Sequence, residues 1–242
     1  MTALSVNLNK IALLRNSRGR DYPNVVRFAE KFIALGVQGI TIHPRPDERH
    51  IKYRDAYELG EFLQDFPNVE FNIEGYPNED FLGIIQDVRP DQCTLVPDGE
   101  AQLTSDHGWN FHEQGEFVAS INARIKDWGV RVAVFLDPDV SQIAPAAYAG
   151  SDRIELYTEA FANAWGTPEL AAVLAGYRDT ARQAQAAGLG VNAGHDLDLN
   201  NLGDFLTIPD ILEVSIGHAL TVECIEAGME QIVGKYLALC HG

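Results

Sequence analysis

The sequence predicts an α/β fold, a closed (β/α)8 barrel, on three observations. Eight short β-rich runs alternate with longer helix-period segments from one end of the chain to the other. Several of these runs are nearly continuous in apolar residues, as expected for parallel strands covered by helices. No long Ser-, Gly- or Pro-rich linker divides the 242 residues, so 1–242 reads as a single domain. At about 150 residues per domain the length alone allows one or two. A doubly wound open sheet is the alternative arrangement of the same elements.

The first strand is Leu4–Asn7. It runs into NLNKIALLRN and not into a glycine-rich GxGxxG, so a dinucleotide-binding sheet is unsupported. In Tyr22–Leu35, Val25, Phe28, Ala29, Phe32 and Ile33 share one apolar helical stripe that stops at Gly36. Gly39–His43, Val69–Glu74, Gln92–Val96 and Val130–Leu136 are the next four strands. Asp137-Pro138 then offers a helix N-cap followed by proline at the first helical position. The sixth strand is Arg153–Leu156, after which Thr167-Pro168 repeats the device. The Ala-rich helix Ala171–Ala187 ends at Gly188. Gly190–Ala193 and Glu213–Ile216 complete the set of strands.

Apolar residues make up 46% of the chain and charged residues 22%, which excludes a disordered, collagenous or coiled-coil protein. Eighteen basic and 35 acidic residues leave a net charge of −17, which argues against non-specific nucleic-acid binding and against anionic membrane surfaces. The charge is uneven. Residues 1–54 hold ten Lys/Arg against four acids (+6), and the remainder holds eight against 31 (−23). Concentrated cations in an acidic chain point to a small anionic ligand, or else to solvated helix faces. Cys93, Cys224 and Cys240 form no CxxC pair, as in a protein of a reducing compartment. MTALSVNLNK has no signal-peptide pattern, and no apolar run approaches the roughly 20 residues of a membrane span. The cytoplasm is the expected location.

In a closed barrel the site lies at the C-terminal ends of the strands. Those ends carry Asn7 and Asn9, then His43 with Arg45 and His50, then Glu74. Further on come Pro97 with a loop containing Thr104, then Glu155, then Asn192, Gly194 and His195, and last Gly217 and His218. Any one of these reads equally as a surface polar residue; seven strands agreeing is what points to a site. His43 is a candidate proton acceptor beside Arg45, whose planar fork suits an anion. Glu74 closes the apolar run VEFNIE, where desolvation would raise its pKa towards general-base use; an ion pair with a neighbouring Arg is the other reading. The glycines of NAGH and IGH let backbone N–H groups approach a phosphate on the last two strands, with His195 a candidate proton donor. Arg15 and Arg18 either clamp phosphate or are solvated. Lys10 reads as solvated sooner than as a Schiff-base lysine. No HExxH, Cys/His cluster, EF-hand loop or GxSxG is present, so no metal site is expected.

VNLNKIALLRNSRG (6–19), GITIHPRPDERHI (39–51), FNIE (71–74), CTLVP (93–97), VNAGH (191–195) and IGHA (216–219) together resemble the pyridoxine 5′-phosphate synthase family, in order and spacing, over essentially the whole chain. The resemblance implies a TIM barrel with extra helices, built into homo-oligomers, often octamers. It implies condensation of two phosphorylated substrates, 1-deoxy-D-xylulose 5-phosphate and 3-amino-2-oxopropyl phosphate. The products are pyridoxine 5′-phosphate, phosphate and water, and no cofactor is used. By motif position His43 and Glu74 look like the family's proton acceptors, His195 its proton donor and Glu155 its transition-state stabiliser. Asn7, Asn9, Arg18, Arg45, His50, Thr104, Gly194, Gly217 and His218 fall on substrate-binding positions.

Asn9-Lys10 stands where many members have Asp-His, Tyr157-Thr158-Glu159 where they have His-Thr-Gly, and Asp196 where they have Gly. These departures leave a divergent or non-catalytic paralogue that binds a phosphorylated metabolite as the alternative. A barrel isomerase or aldolase acting on one sugar phosphate is a third reading. Pro97–Trp109 and Glu159–Gly166 are candidate lids.

Overall fold

The structure, a computed structural model, describes residues 1–99 and 105–242. Its strands are β1 (Ala3–Asn7), β2 (Gly39–Ile42), β3 (Glu70–Gly75), β4 (Gln92–Leu95), β5 (Arg131–Leu136), β6 (Arg153–Tyr157), β7 (Gly190–Gly194) and β8 (Ile211–Ile216). They are parallel and adjacent in chain order, and β8 pairs back onto β1 to close the barrel. The expected strands are all present, shifted by at most two residues at an end.

The helices are α1 (Asn9–Asn16), α2 (Val25–Ala34), α3 (Tyr53–Leu63), α4 (Glu79–Val88), α5 (Phe111–Asp127), α6 (Ile143–Tyr148), α7 (Glu159–Ala164), α8 (Leu170–Ala186), α9 (Leu202–Phe205), α10 (His218–Ala227) and α11 (Met229–His241). Two starts differ from expectation because a nearer side chain does the capping. Helix α2 begins at Val25, where Asn24 Oδ1 accepts the Arg27 N–H at 2.9 Å. After β5 the helical turn starts past Asp139, not Asp137, since Asp139 Oδ1 accepts the Ser141 N–H at 2.8 Å. Helix α8 starts at Leu170 without a side-chain cap, and the expected Thr167 accepts through Oγ1 from the Glu169 N–H at 3.3 Å in the turn before it. Gly36 and Gly188 adopt φ +96° and +84°, as expected for helix stops. The segment 159–166 is no lid: it contains α7, whose Phe161 is fully buried against Tyr177 and Phe205.

The strands alternate more than their apolar appearance implies. Leu4, Val6, Ile40, Ile42, Phe71, Ile73, Ile154 and Leu156 are buried in the apolar core. The intervening residues form a polar belt inside the barrel, where Ser5 Oγ meets Thr41 Oγ1 at 2.7 Å and Thr94 Oγ1 donates to Asn72 Oδ1 at 2.9 Å. Below them Glu70 pairs with Arg131 and, at 3.5 Å, with Arg153. Burying these groups is tolerable because they satisfy one another. Asn192 belongs to this lower region: its Oδ1 accepts from Arg153 Nη1 at 3.3 Å, so it is not a strand-end residue. Among the described residues no helix is long and apolar enough to cross a membrane.

Candidate active site

A chain of hydrogen bonds ties the first three strands together at their C-terminal ends. Asn7 Nδ2 donates to Glu74 Oε2 at 3.4 Å, and Asn7 Oδ1 accepts the Asn9 N–H at 3.0 Å. Asn9 Oδ1 in turn accepts the His43 N–H at 3.0 Å. The two asparagines therefore set the relative positions of Glu74 and His43, and both amides double as lining of the cavity.

The loop after β2 is held by α1. Asn16 Nδ2 donates to the carbonyls of His50 (2.7 Å) and Arg49 (3.1 Å). Arg15, considered from sequence as a phosphate clamp, is instead buried in a forked pair with Asp55 at 2.6 and 2.7 Å. Its Nη2 also donates to the His50 carbonyl at 3.3 Å. This anchoring fixes the chemistry of His50. Its Nδ1 accepts the Ile51 N–H at 2.9 Å, and burial with the charge of Arg45 lowers its pKa to about 4. A neutral imidazole that accepts at Nδ1 carries its proton on Nε2, so His50 is a fixed N–H donor suited to a phosphate oxygen.

Arg45 is buried and engaged by Asp98, whose Oδ2 also accepts from Ser105 Oγ at 2.8 Å. The guanidinium assigned to an anion is thus held by an internal carboxylate. His43 Nε2 lies 4.0 Å from the same oxygen, beyond hydrogen bonding. Burial and then the neighbouring Arg45 depress the His43 pKa well below its usual value, so His43 is a neutral base.

The carboxylates shift the other way. Glu74 is raised well above the ordinary range by burial and by the charges of Glu155, Glu213 and Asp98, with Arg45 opposing. Burial raises Glu155 to about 7, against the pull of His195 and a hydrogen bond from Thr94. Depressed imidazoles facing elevated carboxyls is an arrangement for moving protons near neutral pH.

On β7, Gly194 is required by Glu155: a Cβ there would lie 2.2 Å from Glu155 Oε1. His195 follows with φ +96°, a conformation costing a non-glycine residue about 1–3 kcal/mol and enriched at functional sites. Gly217 precedes α10, so the unpaired N–H groups of that helix's first turn offer an anion site.

One cavity of about 520 Å³ gathers Asn7, Asn9, His43, Arg45, His50 and Glu74 with Glu155, His195, Gly217 and His218. A smaller cavity of about 210 Å³, lined in part by Tyr76 and Phe81, adjoins His43 and Arg45. Gly194 stands behind Glu155 and does not line the cavity. Arg18 is exposed in the turn after α1 and does not reach it either, because that helix ends at Asn16. Thr104 lies outside the described residues. Sequence reasoning passed over Arg49, Ser105 and Ser215, which line the site, and Asp98, which holds Arg45. Asp98 was legible by the strand-end rule itself, as the first carboxylate after β4. Among the described residues no group of three or more His, Cys, Asp or Glu could hold a metal.

Solved structures agree with the barrel: a phosphoribosyl anthranilate isomerase from Thermus thermophilus superposes with TM-score 0.61 at 14% identity, covering 98% of this chain and 100% of that one. That likeness concerns fold alone. A pyridoxine 5′-phosphate synthase of Xanthomonas campestris pv. campestris is 51% identical over 249 residues, covering 100% of this chain and 97% of that protein. One from Chelativorans sp. is 46% identical over 243 residues, 98% of each. The family model described as pyridoxal phosphate biosynthesis protein PdxJ matches residues 4–242, and the chain belongs to that family.

Proposed function

We infer that this chain catalyses the reaction of its relatives, formation of pyridoxine 5′-phosphate from 1-deoxy-D-xylulose 5-phosphate and 3-amino-2-oxopropyl phosphate, with release of phosphate and water. The observation that carries the reading is the convergence of Glu74, Glu155, His43 and His195 on one cavity. An amine and a ketone first join as an imine. Ring closure then takes protons from carbon and delivers them to departing oxygens. Glu74 and neutral His43 serve as proton acceptors, His195 as donor to the leaving group, and Glu155, titrating near 7, balances charge at the ring. Two phosphorylated substrates call for two anion sites. His50 and Lys10 supply one; the α10 N-terminus with Gly217 and His218 supplies the other. Exposed Leu13 on α1 and Val222 and Ile225 on α10 support a homo-oligomer, and three unpaired cysteines support a cytoplasmic location.

The test is an assay with both substrates, following pyridoxine 5′-phosphate and phosphate. Equal amounts of the two, dependent on both substrates, are expected; binding without turnover would identify a non-catalytic paralogue. Gly194→Ala is expected to keep the fold and lower kcat about 100-fold, since displacing a reacting group by ~1 Å costs this much. Steady-state kinetics of the variant check it.

A further inference from the structure

The carboxylate of Asp196 has no part in the assignments above, yet its Oδ2 lies 2.8 Å from His195 Nδ1. We propose that Asp196 is a positioning residue for His195, holding the ring by Nδ1–H so that the catalytic proton is exchanged at Nε2. The proposal rests on the reading of His195 as proton donor.

Three features make the contact a built one. In extended chain, successive side chains point to opposite faces, and the left-handed backbone at His195 (φ +96°) is what lets residue 196 fold back onto the ring before it. The backbone of Asp196 is fixed on both sides: its N–H donates to Thr158 Oγ1 at 3.2 Å, and its carbonyl accepts from Asn201 Nδ2 at 3.0 Å. Thr158 and Asn201 are themselves buried, and Thr158 Oγ1 donates to the Gly194 carbonyl at 2.8 Å. The imidazole plane is set by Tyr157, packed against it at 5.1 Å between centroids and 88° between planes. Tyr157 and Thr158 extend the strand that carries Glu155, so one strand end places both groups relative to the cavity. A carboxylate on Nδ1 selects the tautomer and stabilises the imidazolium formed when Nε2 takes a proton.

Because both bonds that hold residue 196 in place are made by its backbone, Asp196→Ala removes the carboxylate and keeps them. The expected result is a kcat lower by about 10- to 100-fold, part of what a positioned acid contributes, with KM for both substrates within about twofold of wild type. 15N NMR of the His195 ring is expected to show a protonated Nδ1 in the wild type and loss of that tautomer in the variant. Asp196→Asn, which keeps an acceptor oxygen without the charge, should fall between them. Wild-type kcat in Asp196→Ala, or an unchanged Nδ1–H signal, would overturn the proposal. His195→Gln separates the two readings. If it abolishes turnover while Asp196→Ala does not, only the positioning role falls. If it leaves turnover intact, the donor role of His195 falls and the positioning role with it.

Discussion

Glu74→Gln is expected to lower kcat by about 10²- to 10⁴-fold, the contribution of a positioned acid–base group, with little change in KM. Gln has the same shape, and its Oε1 still accepts from Asn7 Nδ2, so the bond chain from Glu74 to His43 survives. What disappears is the ability to take a proton. Folding is not expected to suffer, because the Glu74 charge sits among those of Glu155, Glu213 and Asp98. The sign follows from linkage. A carboxyl whose folded pKa is raised binds its proton more tightly in the native state than in the unfolded one. Its contribution to stability therefore falls as pH rises above the ordinary value of 4.5. The variant should match wild type in acid and melt higher as pH increases towards neutral. Glu155→Gln should show the same trend, developing between about pH 4.5 and 7. Thermal melts against pH, beside steady-state kinetics, check both halves. Wild-type turnover in Glu74→Gln would remove this carboxylate from the mechanism.

Arg15→Ala is expected to cost about 3–5 kcal/mol of stability, the usual consequence of stranding one member of a buried ion pair. Arg15 and Asp55 have side-chain exposures of 3% and 1%. Asp55 Oδ2 also accepts the Lys52 N–H at 2.7 Å at the start of α3, so the pair joins two helices. The nearby Arg54, 3.9 Å from Asp55, is 58% exposed and a weak substitute. At 2–4 °C per kcal/mol for a domain of this size, Tm should drop by roughly 6–20 °C. The double variant Arg15→Ala/Asp55→Ala should lose less than the sum of the single losses. KM should rise as well, since Arg15 supports the His50 carbonyl. Urea denaturation of the four proteins measures this, and a loss below about 1 kcal/mol in Arg15→Ala would mean a solvated arginine of the surface kind.

The same residue illustrates where the sequence is readable and where it is not. Strand periodicity and turn chemistry are local, so the eight strands and the polar residues at their ends are visible in the chain itself. Gly194 and Gly217 stand out for the same reason, as glycines at strand ends. Which partner a charged residue finds is not local. Arg15 resembles a phosphate ligand in LLRNSRG, and only the fold reveals Asp55 forty positions on. Arg45 has the same history with Asp98. Alternation inside the strands was masked by their apolar neighbours, so Thr41, Asn72 and Thr94 did not appear as a connected belt. Glu213 opens the predicted eighth strand, yet its burial near Glu70 and Glu155, and the resulting rise in its pKa, depend on barrel closure. Helix starts moved because Ser, Thr, Asn and Asp all cap, and the chain offers several within a few residues of each start.

Catalysis here requires residues far apart in sequence to act on one molecule in one cavity. A crystal structure with pyridoxine 5′-phosphate bound tests this most directly. The predicted result is the pyridine ring inside the barrel mouth, within about 2.6–3.2 Å hydrogen-bond reach of at least two of Glu74, His43 and His195. Its phosphate should sit at the N-terminus of α10. Product bound outside that mouth, or touching only one of the three, would contradict it.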